Sequence, residues 1–125
     1  MLAVCQESGI ENEMIPRIAS GFGGGIGGTG AVCGAVVGAV MAIGLKRGRD
    51  AASEDRFGTW HLAQEFRRRF EAEMEAINCR ELTGEDLSTE EGRKQYMSSD
   101  APLTVCLPAV GVANRLVVEL LKESS

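Results

Sequence analysis

Four residues of this chain carry thiol chemistry: Cys5, Cys33, Cys79 and Cys106. A thiolate is a nucleophile, a reductant and a soft metal ligand. The four stand 28, 46 and 27 residues apart and form no CxxC pair. Such separations fit neither a zinc finger nor a ferredoxin pattern. Any shared centre must therefore be assembled by the fold. Cys33 opens an apolar stretch, which places it in the first turn of a helix, where the positive end of the dipole favours thiolate. The alternative is a small buried hydrophobe, a common fate of free cysteine. Cys79 closes one long helical pattern and Cys106 precedes another. Three thiols at helix ends can converge in a bundle.

A second candidate is the glycine run. Seven of the sixteen glycines fall between Gly21 and Gly30. Gly25-Ile26-Gly27-Gly28-Thr29-Gly30 matches GxGxxG, but a dinucleotide site needs a strand before it, and Glu13 to Ser20 does not read as one. No Gly-Lys-Ser/Thr follows, so a Walker A site is absent. The plainer reading is a compact turn that lets two helices pack closely. Backbone N–H groups around Gly24, Gly25 and Gly27 could also cradle an anion or the sulfurs of a cluster. His61, the single histidine, reads as a boundary residue, with metal ligation or proton donation as the alternative.

Composition bounds the rest. With 125 residues the chain reads as one domain over 1–125, long enough to bury a core. The net charge of −5 argues against a nucleic-acid binder, which needs a clustered basic face. No secretory signal is legible at the start, so the expected compartment is the cytoplasm, where thiols stay reduced. The apolar stretch Ala31–Leu45 has 15 residues, short of the ~20 a membrane span needs. It reads as a buried core helix.

The elements expected to position the thiols are helical. Met1 to Ala19 reads as a short helix and a second one opening near Pro16, with Asn12 as a candidate cap. Ala31 to Leu45 forms the apolar helix, with Gly34 and Gly38 on one face. Each glycine costs about 1 kcal/mol against Ala, which close approach of a neighbour would offset. Ser53 to Asn78 forms a long amphipathic helix, with Phe57, Trp60, Ala63, Phe66, Phe70, Met74 and Ile77 inward. Arg67, Arg68 and Arg69 sit among acids as an ion-paired, solvated face. Ser88-x-x-Glu91 suggests a capping box for a helix over Thr89–Tyr96. Met97 to Pro102 reads as a loop. A last helix runs from Pro108 to Lys122, with Val112, Leu116, Val117, Leu120 and Leu121 inward. The expected fold is all-α, a small bundle of four to six helices with a glycine-rich loop before a buried apolar helix.

The motif Cys33-Gly34-Ala35-Val36-Val37-Gly38 resembles that of the C-GCAxxG-C-C family of redox-active proteins. The likeness extends to Ala19-Ser20-Gly21-Phe22-Gly23-Gly24-Gly25, to Ala39-Val40-Met41-Ala42-Ile43-Gly44-Leu45, to Asn78-Cys79-Arg80-Glu81-Leu82-Thr83-Gly84 and to Cys106 before a terminal helix. It covers about Pro16 to Leu121. The resemblance implies a small helical protein that is redox-active or holds a metal or iron–sulfur centre. Cys33, Cys79 and Cys106 correspond to the family's second, third and fourth cysteines. Its first falls earlier than Cys5, which reads as a position inside the first helix. Either the chain begins at an internal Met, or the first ligand is lost.

Two readings of function follow. In the first, Cys33, Cys79 and Cys106 converge near the glycine loop. They ligate an iron–sulfur cluster or another metal, with Cys5 or an outside group as fourth ligand. A variant is thiol–disulfide exchange with an unknown redox partner, Cys33 being the nucleophile. In the second, the chain is a non-catalytic, homo-oligomerising helical module whose cysteines are inert core residues.

Overall fold

The computed structural model describes residues 1–124. They form helices α1 (Leu2–Ser8), α2 (Gly34–Arg47), α3 (Phe57–Met74), α4 (Cys79–Thr83), α5 (Glu90–Ser98) and α6 (Leu107–Glu123). A 3-10 segment, Arg17–Phe22, precedes the glycine run, and a π-helical turn, Pro102–Cys106, leads directly into α6. Among the described residues there is no strand, only an isolated antiparallel bridge between Val32 and Asn78. The fold is all-α.

Helices α2, α3 and α6 pack on one another, and α1 covers α2 and α6. Their buried positions repeat every three or four residues: Val36, Ala39 and Ile43 on α2, Phe66 and Phe70 on α3, Ala109, Ala113, Leu116 and Leu120 on α6. The Phe66 and Phe70 rings stack at 5.8 Å. Across α3 and α6, Arg69 donates to Glu123 at 2.8 Å and also to Glu65, and Arg115 reaches Glu73. Arg68 and Arg69 are thus ion-paired as expected, while among the described residues Arg67 makes no ion pair.

Several boundaries differ from the sequence expectation, each for a local reason. Helix α1 stops after Ser8 because Gly9 turns left-handed at φ 70°. Asn12 makes a local turn instead of a helix cap, its Oδ1 accepting from the Met14 N–H at 2.9 Å. Helix α3 begins at Phe57, where the Asp55 carboxylate accepts from the Phe57 and Gly58 N–H groups. It ends at Met74 because Glu75 turns left-handed at φ 70°. Phe57 and Trp60 are exposed, not inward. At 100° per residue, nine residues put Phe57 about 180° from Phe66, so the run of three-residue steps drifts off the core face. Thr89, not Ser88, caps α5 by accepting from the Gly92 N–H at 2.9 Å. The expected loop before the last helix is partly the π-helical turn.

Pro102–Glu123 is a single helical run, long and apolar enough by length and composition to cross a membrane. Here its inner face, from Ala109 to Leu120, packs into the core.

Candidate thiol site

The left-handed Glu75 frees the next residues from helix, and Ile77–Asn78 run extended against Ala31–Val32–Cys33. Across the Val32–Asn78 bridge the Cys33 N–H donates to the Ile77 carbonyl at 2.7 Å, and the Cys79 N–H donates to the Ala31 carbonyl at 2.7 Å. Two cysteines 46 residues apart in sequence are thereby tied to one short ladder. Cys33 is the N-cap of α2 and half-buried. Cys79 is the first residue of α4 and buried.

The glycine run forms the floor beneath this ladder. Gly25 has φ 72°, and a Cβ there would lie 2.7 Å from the Cys79 Cβ, with Ala31 backbone nearer still. Only a residue without a side chain lets the loop approach Cys79 this closely. The loop also bonds to itself: the Gly27, Gly28, Gly30 and Ala31 N–H groups donate to the Gly21, Gly23, Gly24 and Gly25 carbonyls. Of the three cradle candidates, Gly27 spends its N–H within the turn. Gly24 packs against Gly28, while Gly27 faces open space. A 3-10 segment, not a strand, precedes the run, so the GxGxxG match lacks its dinucleotide-binding context.

Cys106 arrives from the other end of the chain as the last residue of the π-helical turn, half-buried. Its Sγ shares a 3.1 Å hydrogen bond with the Tyr96 hydroxyl on α5. Electrostatics join these groups. Burial pushes the Cys79 thiol up, and the neighbouring Cys106 and Cys33 thiols push it further, while Thr83 opposes weakly. Tyr96 is pushed up to about 12, first by the hydrogen bond with Cys106, then by burial and by the Cys106, Cys79 and Cys33 thiols. Cys33 and Cys106 thus lie near enough to act on both Cys79 and Tyr96.

Cys5 is not among the groups acting on Cys79 or Tyr96. It is buried in α1, and its carbonyl accepts from the Ile10 N–H at 2.9 Å. His61 is exposed on α3. Sequence reasoning did not single out Tyr96. The only available signal was that it is the sole tyrosine and the one aromatic ring in its helix.

Three soft thiols have the chemistry to ligate zinc, Cu(I) or an iron–sulfur cluster. Their arrangement does not match it: among the described residues, no group of three His, Cys, Asp or Glu side chains is disposed to hold a metal ion. The site offers thiols near one another and a tyrosine hydroxyl hydrogen-bonded to Cys106.

Fold and site together define a small all-α protein with thiols gathered at helix ends. The chain belongs to the family described as "putative redox-active protein (C_GCAxxG_C_C)", whose model matches residues 1–120. The family name spells Gly-Cys-Ala-x-x-Gly, whereas this chain reads Cys33-Gly34-Ala35-x-x-Gly38, which sets the thiol at the helix cap. No curated protein and no solved structure matches the chain at significance.

Proposed function

We propose that this chain is a thiol–disulfide redox protein in which Cys33 attacks and Cys79 resolves. The observation that carries the reading is the Val32–Asn78 bridge, flanked by the hydrogen bonds of the Cys33 and Cys79 N–H groups. The family assignment supports redox activity at the coarser level. Cys33 caps α2 and is half-buried, so a partner reaches its sulfur more readily than that of the buried Cys79. Cys79 is buried with its thiol pushed up, so it stays protonated and protected until an adjacent mixed disulfide forms.

In the first step the Cys33 thiolate attacks one sulfur of a partner disulfide. A mixed disulfide forms and the partner's other sulfur leaves as a thiolate. Cys79 then gives up its proton and attacks the Cys33 sulfur, releasing the partner's second sulfur. Two protein thiols become one disulfide, and one partner disulfide becomes two thiols that take up the two protons. The proposed setting is the cytosol, where the thiol pool re-reduces the pair.

The test is to treat the reduced protein with oxidised glutathione, alkylate it and map the disulfides by mass. A Cys33–Cys79 cross-link is expected. Cys79→Ser should leave Cys33 held as a glutathione adduct, and Cys33→Ser should prevent the cross-link. Absence of an intramolecular disulfide would overturn the reading. So would stoichiometric zinc or iron that protects all three thiols in protein purified without oxygen.

A further inference from the structure

An apolar groove of about 550 Å³ runs between α2 and α3, lined by Val32, Val36, Val40, Trp60, Ala63 and Ile77, with Gln64 and Arg67 on its rim. No acidic residue lines it. At one end the Arg56 guanidinium lies 6.0 Å from the Trp60 ring, and Arg67 stands at the other. Neither arginine is in an ion pair among the described residues, whereas Arg68, Arg69 and Arg115 all are.

We infer that this groove docks an acidic amphipathic helix of a partner protein. The charge pattern selects that occupant. The chain is acidic overall, at −5, so an acidic partner is repelled except where uncompensated cations meet it. Those cations bracket an apolar floor. Trp60 is 53% exposed and Val40 38%. An exposed tryptophan between two arginines has the residue types that anchor interfaces. From Trp60 to Arg67 the rim spans roughly 10 Å, the length of about two helical turns. A helix with leucines on one face and glutamates at its edges satisfies both features.

The groove also adjoins the thiols. Val32 directly precedes Cys33, and the Ile77 carbonyl accepts the Cys33 N–H. A partner seated here is held beside the nucleophile. This last point rests on the thiol–disulfide reading; the docking itself does not.

Trp60 is the only tryptophan, so its fluorescence reports occupancy of the groove alone. The probes are two synthetic helical peptides with the same leucine pattern, one with glutamate and one with lysine on the polar face. The glutamate peptide should shift Trp60 emission to the blue, with affinity that falls as salt is raised. The lysine peptide should leave the emission unchanged. Replacing both cations, Arg56→Glu with Arg67→Glu, should weaken the glutamate peptide by at least about tenfold with the helical circular dichroism retained. No shift with the glutamate peptide, or equal binding by the double variant, would overturn the inference. A shift on raising protein concentration alone would assign the groove to a second copy, and a shift with phosphatidylglycerol vesicles to a membrane; either outcome rejects the acidic helix. The titration is repeated on Cys33→Ser, which should bind as the parent does. A failed disulfide assay and a failed docking assay are then separate results.

Discussion

The Tyr96 hydroxyl and the Cys106 sulfur lie 3.1 Å apart and join α5 to the turn that begins the final helix. This contact brings the fourth polar group into a site otherwise made of thiols. It also has a pH consequence. The hydrogen bond with Cys106, more than burial, pushes Tyr96 up to about 12 from an ordinary 10. A raised acid favours the fold while it is protonated. Its contribution is therefore complete below pH 10 and is lost as pH rises towards about 12. Tyr96→Phe should flatten the stability loss in that window, as read by urea denaturation at a series of pH values. It should also change the rate at which Cys106 is alkylated, while alkylation of Cys5 stays as it was.

The glycine floor predicts an asymmetry between two neighbours with similar backbone angles, φ 72° at Gly25 and 64° at Gly27. Gly27→Ala meets open space, so it should cost only the left-handed penalty of about 1–2 kcal/mol. Gly25→Ala drives a methyl into Ala31 backbone and the Cys79 Cβ. It should cost clearly more and should expose Cys79 to alkylating reagents. Paired denaturation curves and thiol-labelling rates check both parts. Equal effects for the two variants would mean that the floor does not position Cys79.

Burial separates the cysteines by role. Cys5 lies within the α1 packing and is only 2% exposed. Cys5→Ala should lower stability by about 1 kcal/mol through the lost side-chain contacts. It should leave formation of the Cys33–Cys79 disulfide unchanged. Loss of that disulfide in Cys5→Ala would draw Cys5 into the site.

Phe70 is fully buried between α2 and α6 in the three-helix core. Phe70→Ala should cost about 3–5 kcal/mol, measured as a lower urea midpoint. Because α3 leads into the extended Ile77–Asn78 segment, the same variant should also speed alkylation of Cys79 in native buffer.

The helical class was legible because Phe66, Phe70 and Met74, or Val112, Leu116 and Leu120, keep one phase over several turns. Phe57 and Trp60 misled because three-residue steps resemble a helical stripe until their drift is summed. The left-handed turn at Glu75 has no sequence signature, since glutamate seldom adopts it, and the placement of Cys79 depends on that turn. The link between Cys33 and Cys79 was legible only through the family likeness, because a bridge closing 46 residues leaves no local pattern. Arg67, one of the groove's two cations, was read with Arg68 and Arg69 as a single ionic face. Only the side-chain partners separate Arg67 from Arg68 and Arg69.

The bridge between Val32 and Asn78 binds the two ends of a long chain loop before any covalent bond exists. By reciprocity, whatever the fold contributes to forming the proposed Cys33–Cys79 disulfide, that bond returns to the fold. For a loop of 46 residues the chain-entropy relation puts that return at about 4 kcal/mol. An oxidised molecule would then open more rarely than a reduced one and meet proteases less often. Redox state would set how long each copy of the protein survives.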